Sequence, residues 1–131
     1  MAKLRAGIAG FRGYSGAELV RLLDRHPSVT PVLLDHRHDV EHRSEPINRP
    51  VHERFPSTAE SVLDSRLDVV FLATPPEVSM ELAPAMLNAG ARVVDLSGAF
   101  RLRDAATYKL WYEEEHTATH LGACKDITAS P

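Results

Sequence analysis

At 131 residues the chain is sized for one domain with a substantial core. It carries 15 Lys and Arg against 18 Asp and Glu, a net charge of -3, and the basic residues are scattered, so nothing marks a surface for nucleic acid or an anionic membrane. No apolar run approaches the roughly 20 residues of a membrane span, residues 1–10 lack the length and cleavage site of a signal peptide, and the lone Cys124 makes no internal disulfide, so a cytoplasmic protein is expected.

Residues 4–9 form a short apolar segment, followed by G-I-A-G-F-R-G-Y-S-G, in which four of the seven glycines recur at every third position. Ser15-Gly16-Ala17-Glu18 has the S-x-x-E form of a capping box, which predicts a helix starting there. Leu19, Leu22 and Leu23 are expected on its core face, and Pro27 stops it after His26. Residues 30–34 read as a second strand, buried on both faces. Residues 35–57, broken by Pro46, Pro50 and Pro56, read as irregular, and 58–65 as one or two helical turns.

L-D-V-V-F-L-A at 67–73 is the clearest strand, expected inside a parallel sheet. Residues 77–89 place Val78, Leu82, Met86 and Leu87 on one helical face, with Pro84 as a kink and Gly90 as the cap. A-R-V-V-D-L at 91–96 reads as another buried strand, 97–101 as its loop, and Asp104 as the cap of a last helix through Leu110, Trp111 and Tyr112. Such alternation predicts an α/β fold of Rossmann type, a doubly wound, mainly parallel sheet with helices on both faces. Ligands then bind at the carboxyl ends of the strands, where the glycine cluster and residues 35–38, 74–77 and 97–101 fall.

Gly7, Gly10 and Gly13 make a G-x-x-G-x-x-G pattern between a strand and a helix, the context in which glycines let backbone amides approach a pyrophosphate. The bland alternative is a tight turn with no ligand. Arg12 inside the loop offers a cation beside a phosphate or a merely solvated one. After the second strand, Asp35 is the type of residue that binds the ribose 2′-OH of NAD, and Arg37, with His36, the type that binds the 2′-phosphate of NADP. The residue types favour NADP, against a hydrophilic loop with no ligand. His36, His38, His42 and His52 share a tract, but neither H-E-x-x-H nor a Cys pair accompanies them, so no metal site is read. Cys124 has no helix start or fixed basic partner and is not read as a nucleophile.

G-Y-S-G-A-E-L at 13–19, D-L-S-G-A-F-R at 95–101 and W-Y-E-E-E-H at 111–116 together resemble the N-terminal domain of N-acetyl-gamma-glutamyl-phosphate reductases, in the aspartate-semialdehyde dehydrogenase superfamily. The resemblance spans most of residues 7–116 and implies NADPH-dependent reduction of an acyl phosphate through a cysteine thioester, in arginine biosynthesis. It implies that Gly10, Phe11, Arg12, Gly13, Tyr14, Ser15 and Gly16 hold the pyrophosphate and that Arg37 and His36 hold the 2′-phosphate. Ala73, Thr74 and Pro75 would lie beside the adenosine and Ser97 near the nicotinamide. Arg101 would orient the substrate's anionic groups, against the alternative of a structural ion pair.

The chain departs from the family's pattern at Arg12, commonly a small polar residue, and at Pro76, often His. The family's nucleophile follows Asn/Ser-Pro-Gly-Cys, whereas this chain ends A-S-P. The expectation is therefore a dinucleotide-binding domain at 1–116, a tail or truncated connection at 117–131, and no catalysis by this chain alone, with no catalytic residue of its own. Apolar surface left by a missing second domain would favour homo-oligomers. Two other functions share these features: a noncatalytic dinucleotide-sensing or interaction domain, and the cofactor domain of an aspartate-semialdehyde dehydrogenase, which the 95–101 and 111–116 segments disfavour.

Overall fold

The computed structural model of the protein describes residues 2–36, 52–102 and 105–112. Five strands, β1 (Leu4–Ala9), β2 (Val29–Asp35), β3 (Arg54–Pro56), β4 (Val69–Leu72) and β5 (Arg92–Asp95), form one parallel sheet in the order β3-β2-β1-β4-β5. Helices α1 (Tyr14–Asp24), α2 (Ala59–Asp64), α3 (Pro76–Asn88) and α4 (Ala105–Tyr112) complete the described elements.

Alternation along the central strands builds two apolar layers. Ile8 and Leu33 face one side and pack with Phe11 under Leu19, Val20 and Leu23 of α1. Their neighbours Ala9, Val32 and Leu34 join Val70 and Leu72 on the other side, beneath Val62 of α2 and Leu82, Ala83 and Met86 of α3. Because right-handed crossovers run outward from β1 in both directions, first to β2 and later to β4, they must cover opposite faces. The expected doubly wound α/β sheet is therefore present, and its switch point lies between the carboxyl ends of β1 and β4.

Pro31 sits inside β2 without costing a ladder bond. Leu33 N–H donates to the Glu53 carbonyl at 2.9 Å, so the nitrogen two residues earlier faces the same side, where β3 pairing has not begun.

Several local expectations are corrected. The capping box does not form: Gly13 is the N-cap of α1 with no side-chain cap bond, which puts Ser15 already inside the first turn, and Glu18 pairs with Arg21. The helix ends at Asp24, with Arg25 as its C-cap. Leu22 is exposed, because Gly16, Leu19, Val20 and Leu23 define the sheet-facing stripe and Leu22 falls on its far flank. Residues 35–57 are not wholly irregular, since β3 lies within them. Strand β5 is not buried on both faces; it is the sheet's edge among the described residues, with Val94 41% and Leu96 43% exposed. The 58–65 turns are α2, capped by Thr58 Oγ1, which accepts from Ser61 N–H at 3.3 Å. Pro84 is inside α3, and Gly90 follows its C-cap with φ of 95°. Tyr108 anchors α4 against Met80 and Ala99, while Leu110 and Trp111 are exposed; Asp104 lies outside the described residues.

Candidate functional site

Beyond β1 the backbone turns at Gly10, whose φ is 80°, and an added Cβ there would lie 2.0 Å from the Ala73 carbonyl oxygen. The end of β1 is thereby pressed against the end of β4, a contact open only to glycine. Gly16, in the first turn of α1, is equally constrained: its Cβ would lie 2.0 Å from the Gly10 carbonyl oxygen and 2.6 Å from the carbonyl carbon. Gly13 closes the turn, its N–H donating to Gly10 O at 3.1 Å, and its own carbonyl accepts from Ala17 N–H at 2.8 Å. Having no side chain, Gly13 offers no acceptor to the first amides of α1. A helix start of this kind presents N–H groups and the positive end of the helix dipole to an anion.

This turn forms one wall of a cleft of about 310 Å³, lined by Gly10, Arg12, Gly13, His36, Ala73, Thr74, Pro75 and Val78. The cleft brings together three of the predicted loops: the glycine turn, the residue after β2 and the residues after β4. Thr74 and Ser79 share a hydrogen bond of 2.8 Å between their hydroxyls, which ties the wall after β4 to α3.

The other predicted site residues lie elsewhere. Phe11 points into the apolar layer beneath α1, whereas Tyr14, the first residue of α1, is fully exposed. Ser15 is exposed and Gly16 buried. The Ser97 hydroxyl donates to Asp95 Oδ2 at 2.9 Å and accepts from Ala99 N–H at 3.1 Å, forming a turn after β5 outside the cleft lining. Arg101 is exposed and likewise outside it. Arg37 and Cys124 lie outside the described residues.

The rim beside β2 is charged. Arg12 Nη1 lies 2.9 Å from Asp35 Oδ1, and the Arg12 guanidinium stands 4.6 Å from the centre of the Phe11 ring. Arg54, from β3, approaches the same ring at 5.4 Å. No sequence signal singled out Arg54: Arg54-Phe55-Pro56 is too short to show a period, and Pro56 reads as a break. At the amino ends of the strands, the opposite end of the sheet from the cleft, Arg5 makes bonds of 3.1 and 3.0 Å to the two Glu53 oxygens. These hold the Glu53 carboxyl below its ordinary pKa. Of the histidine tract, His36 lines the cleft and His52 Nε2 lies 2.7 Å from Asp24 Oδ1; His38 and His42 lie outside the described residues. Among the described residues, no three or more His, Cys, Asp or Glu gather in a way that holds a metal, and no helix is long and apolar enough to cross a membrane.

Residues 5–118 match the family described as semialdehyde dehydrogenase, NAD binding domain. Among curated relatives, N-acetyl-gamma-glutamyl-phosphate reductase of Geobacillus kaustophilus is 46% identical over 122 residues, covering 86% of this chain and 33% of the relative. The reductase of the same name from Nitrosococcus oceani is 39% identical over 129 residues, covering 90% of this chain and 36% of the relative. The chain therefore spans about a third of the length of the curated relatives it matches. Among solved structures, a dihydrodipicolinate reductase from Paenisporosarcina superposes with a TM-score of 0.66 at 23% identity, over 95% of this chain and 43% of the other. Aspartate semialdehyde dehydrogenase with NADP from Candida albicans superposes with a TM-score of 0.63 at 19% identity, over 79% and 32%. Both show the same fold. Since the family match runs from the second residue of β1 to beyond α4, and the relatives that share it carry one reductase name, the chain belongs to the family of semialdehyde dehydrogenase NAD-binding domains.

Proposed function

We propose that this chain binds NADP in the cleft between β1 and β4 and supplies the cofactor-binding part of an enzyme that reduces N-acetyl-gamma-glutamyl phosphate to the semialdehyde, releasing phosphate, in arginine biosynthesis. The observation that carries the reading is the turn at Gly10 and Gly16, packed too tightly for any side chain and opening on a helix start with no side-chain cap. That cradle fits a pyrophosphate, which the amides of residues 13–16 would hold. Phe11 would act from beneath, as the floor under Arg12. Ala73, Thr74 and Pro75 would border the adenosine, with Ser97 toward the nicotinamide and Arg101 toward the substrate's anionic groups.

The bound cofactor supplies the hydride; the residues of this chain bind and orient it. NADP is favoured over NAD because Asp35, placed to accept a ribose 2′-OH, is already paired with Arg12, and His36 and Arg37, next in the sequence, are residue types that suit a 2′-phosphate. Residues 1–116 make up the cofactor domain and 117–131 its connection; spanning a third of the relatives' length, the chain is assigned cofactor binding and not the covalent chemistry. A cytoplasmic location goes with this reading. So does homo-oligomerisation, which the exposed Val94, Leu96, Leu110 and Trp111 favour.

Thermal unfolding with each cofactor tests the proposal. At a hundredfold excess over its Kd, NADPH is expected to stabilise the chain by about 2.7 kcal/mol, and NADH at the same concentration by clearly less. Equal protection by the two removes the NADP preference, and no protection by either removes the cofactor site.

A further inference from the structure

Two guanidinium groups meet one aromatic ring, and one of them, Arg12, also lines the cleft. Arg12 follows β1 and Arg54 opens β3, yet their Cζ atoms lie 4.6 and 5.4 Å from the centre of the same Phe11 ring. The convergence depends on the whole sheet edge: β2 pairs with β1 throughout and with β3 from Leu33, which stands opposite Arg54. Phe11 is only 7% exposed and packs with Ile8 and Leu33, so it is a fixed platform and orders both side chains that lie against it. Asp35, at the carboxyl end of β2, fixes Arg12 further through its 2.9 Å contact.

In a sheet wound this way, the residue ending β2 faces the adenosine ribose of a dinucleotide. A lone acid there suits a 2′-OH and repels a 2′-phosphate, which carries about -1.5 to -2 charges at neutral pH. An Arg beside that acid reverses the preference, since its planar fork of five donors serves a carboxylate and a phosphate together. We infer that Arg12 and Arg54, seated on Phe11 beside Asp35, contribute two cations to the subsite for the adenosine 2′-phosphate, beyond the residues that follow β2, and so bias the choice toward NADP; this rests on reading the cleft as a dinucleotide site. Arg12 does two things there: it binds the phosphate and it screens Asp35 from it.

Titrations of the 131-residue chain and of Arg12→Met and Arg54→Met with NADPH and with NADH test the assignment. Arg12→Met is expected to weaken NADPH about tenfold or more beyond any change in NADH binding, because the 2′-phosphate loses its cation while Asp35 is released to accept the 2′-OH. Arg54→Met is expected to weaken NADPH about tenfold with NADH unchanged. Retained NADH binding shows that fold and cleft are intact in each variant. Arg12→Lys, which keeps the charge without the fork, is expected to fall between wild type and Met, so the comparison stands even where a Met variant fails to fold. Equal losses for both cofactors in folded variants, or no loss for NADPH, overturn the subsite. If the unsubstituted chain binds neither cofactor, the reading of the cleft itself fails, before any variant is compared.

Discussion

An added Cβ at Gly10 would strike the Ala73 carbonyl oxygen at 2.0 Å, whereas at Gly13 the nearest atom, Gly10 O, is 3.5 Å away, an ordinary contact. The two glycines therefore separate fold from binding. Gly10→Ala adds a backbone clash to a φ of 80° and is expected to cost more than about 2 kcal/mol in urea unfolding. Gly13→Ala is expected to stay within about 1 kcal/mol of wild type and still weaken NADPH, because the new methyl stands where the cleft lining approaches the ligand. The cluster was legible in the sequence because a positive φ and a close backbone approach admit almost no other residue. The Arg12 contact with Asp35 was not, because 23 residues separate them and only the β1–β2 register brings them together.

Within α1, the neighbours Leu22 and Leu23 look equivalent along the chain but face different surroundings. Leu23→Ala, facing Ile8, Phe11 and Leu33, is expected to cost about 2 kcal/mol, and Leu22→Ala no more than about 0.5 kcal/mol, by chemical denaturation. The helix was readable as an element and misread at its start because Gly13 closes onto Gly10 and takes the N-cap position from Ser15. Strand β3 escaped because three residues carry no period. Its approach is held by the Arg5 pair with Glu53, whose carboxyl is below its ordinary pKa because Arg5 hydrogen-bonds the ionised form. That contribution is complete above the unfolded-state pKa and is lost as pH falls through the lower folded value. Glu53→Gln is accordingly expected to lower stability at pH 7 and to flatten its decline below pH 4.5, read from urea midpoints across that range.

At the scale of the molecule, two apolar layers on opposite faces of one sheet leave β1 in the middle and open a cleft where the winding reverses. This was legible because alternating strands and helices admit few right-handed arrangements. The exposure of β5 was not, since four residues of R-V-V-D do not encode whether a further strand lies beside them. With Val94, Leu96, Leu110 and Trp111 on the surface, the chain is expected to self-associate at high concentration, and Trp111→Ser to reduce that association in sedimentation velocity.

A dinucleotide bound between β1 and β4 would shield the backbone amides that face it, which amide hydrogen exchange with and without NADPH measures. With the cofactor bound there, exchange is expected to slow at residues 10–17 and at Ala73 and Thr74, the amides of the turn, the helix start and the facing wall. Unchanged exchange there, or protection confined to β5 and the turn after it, would contradict that placement.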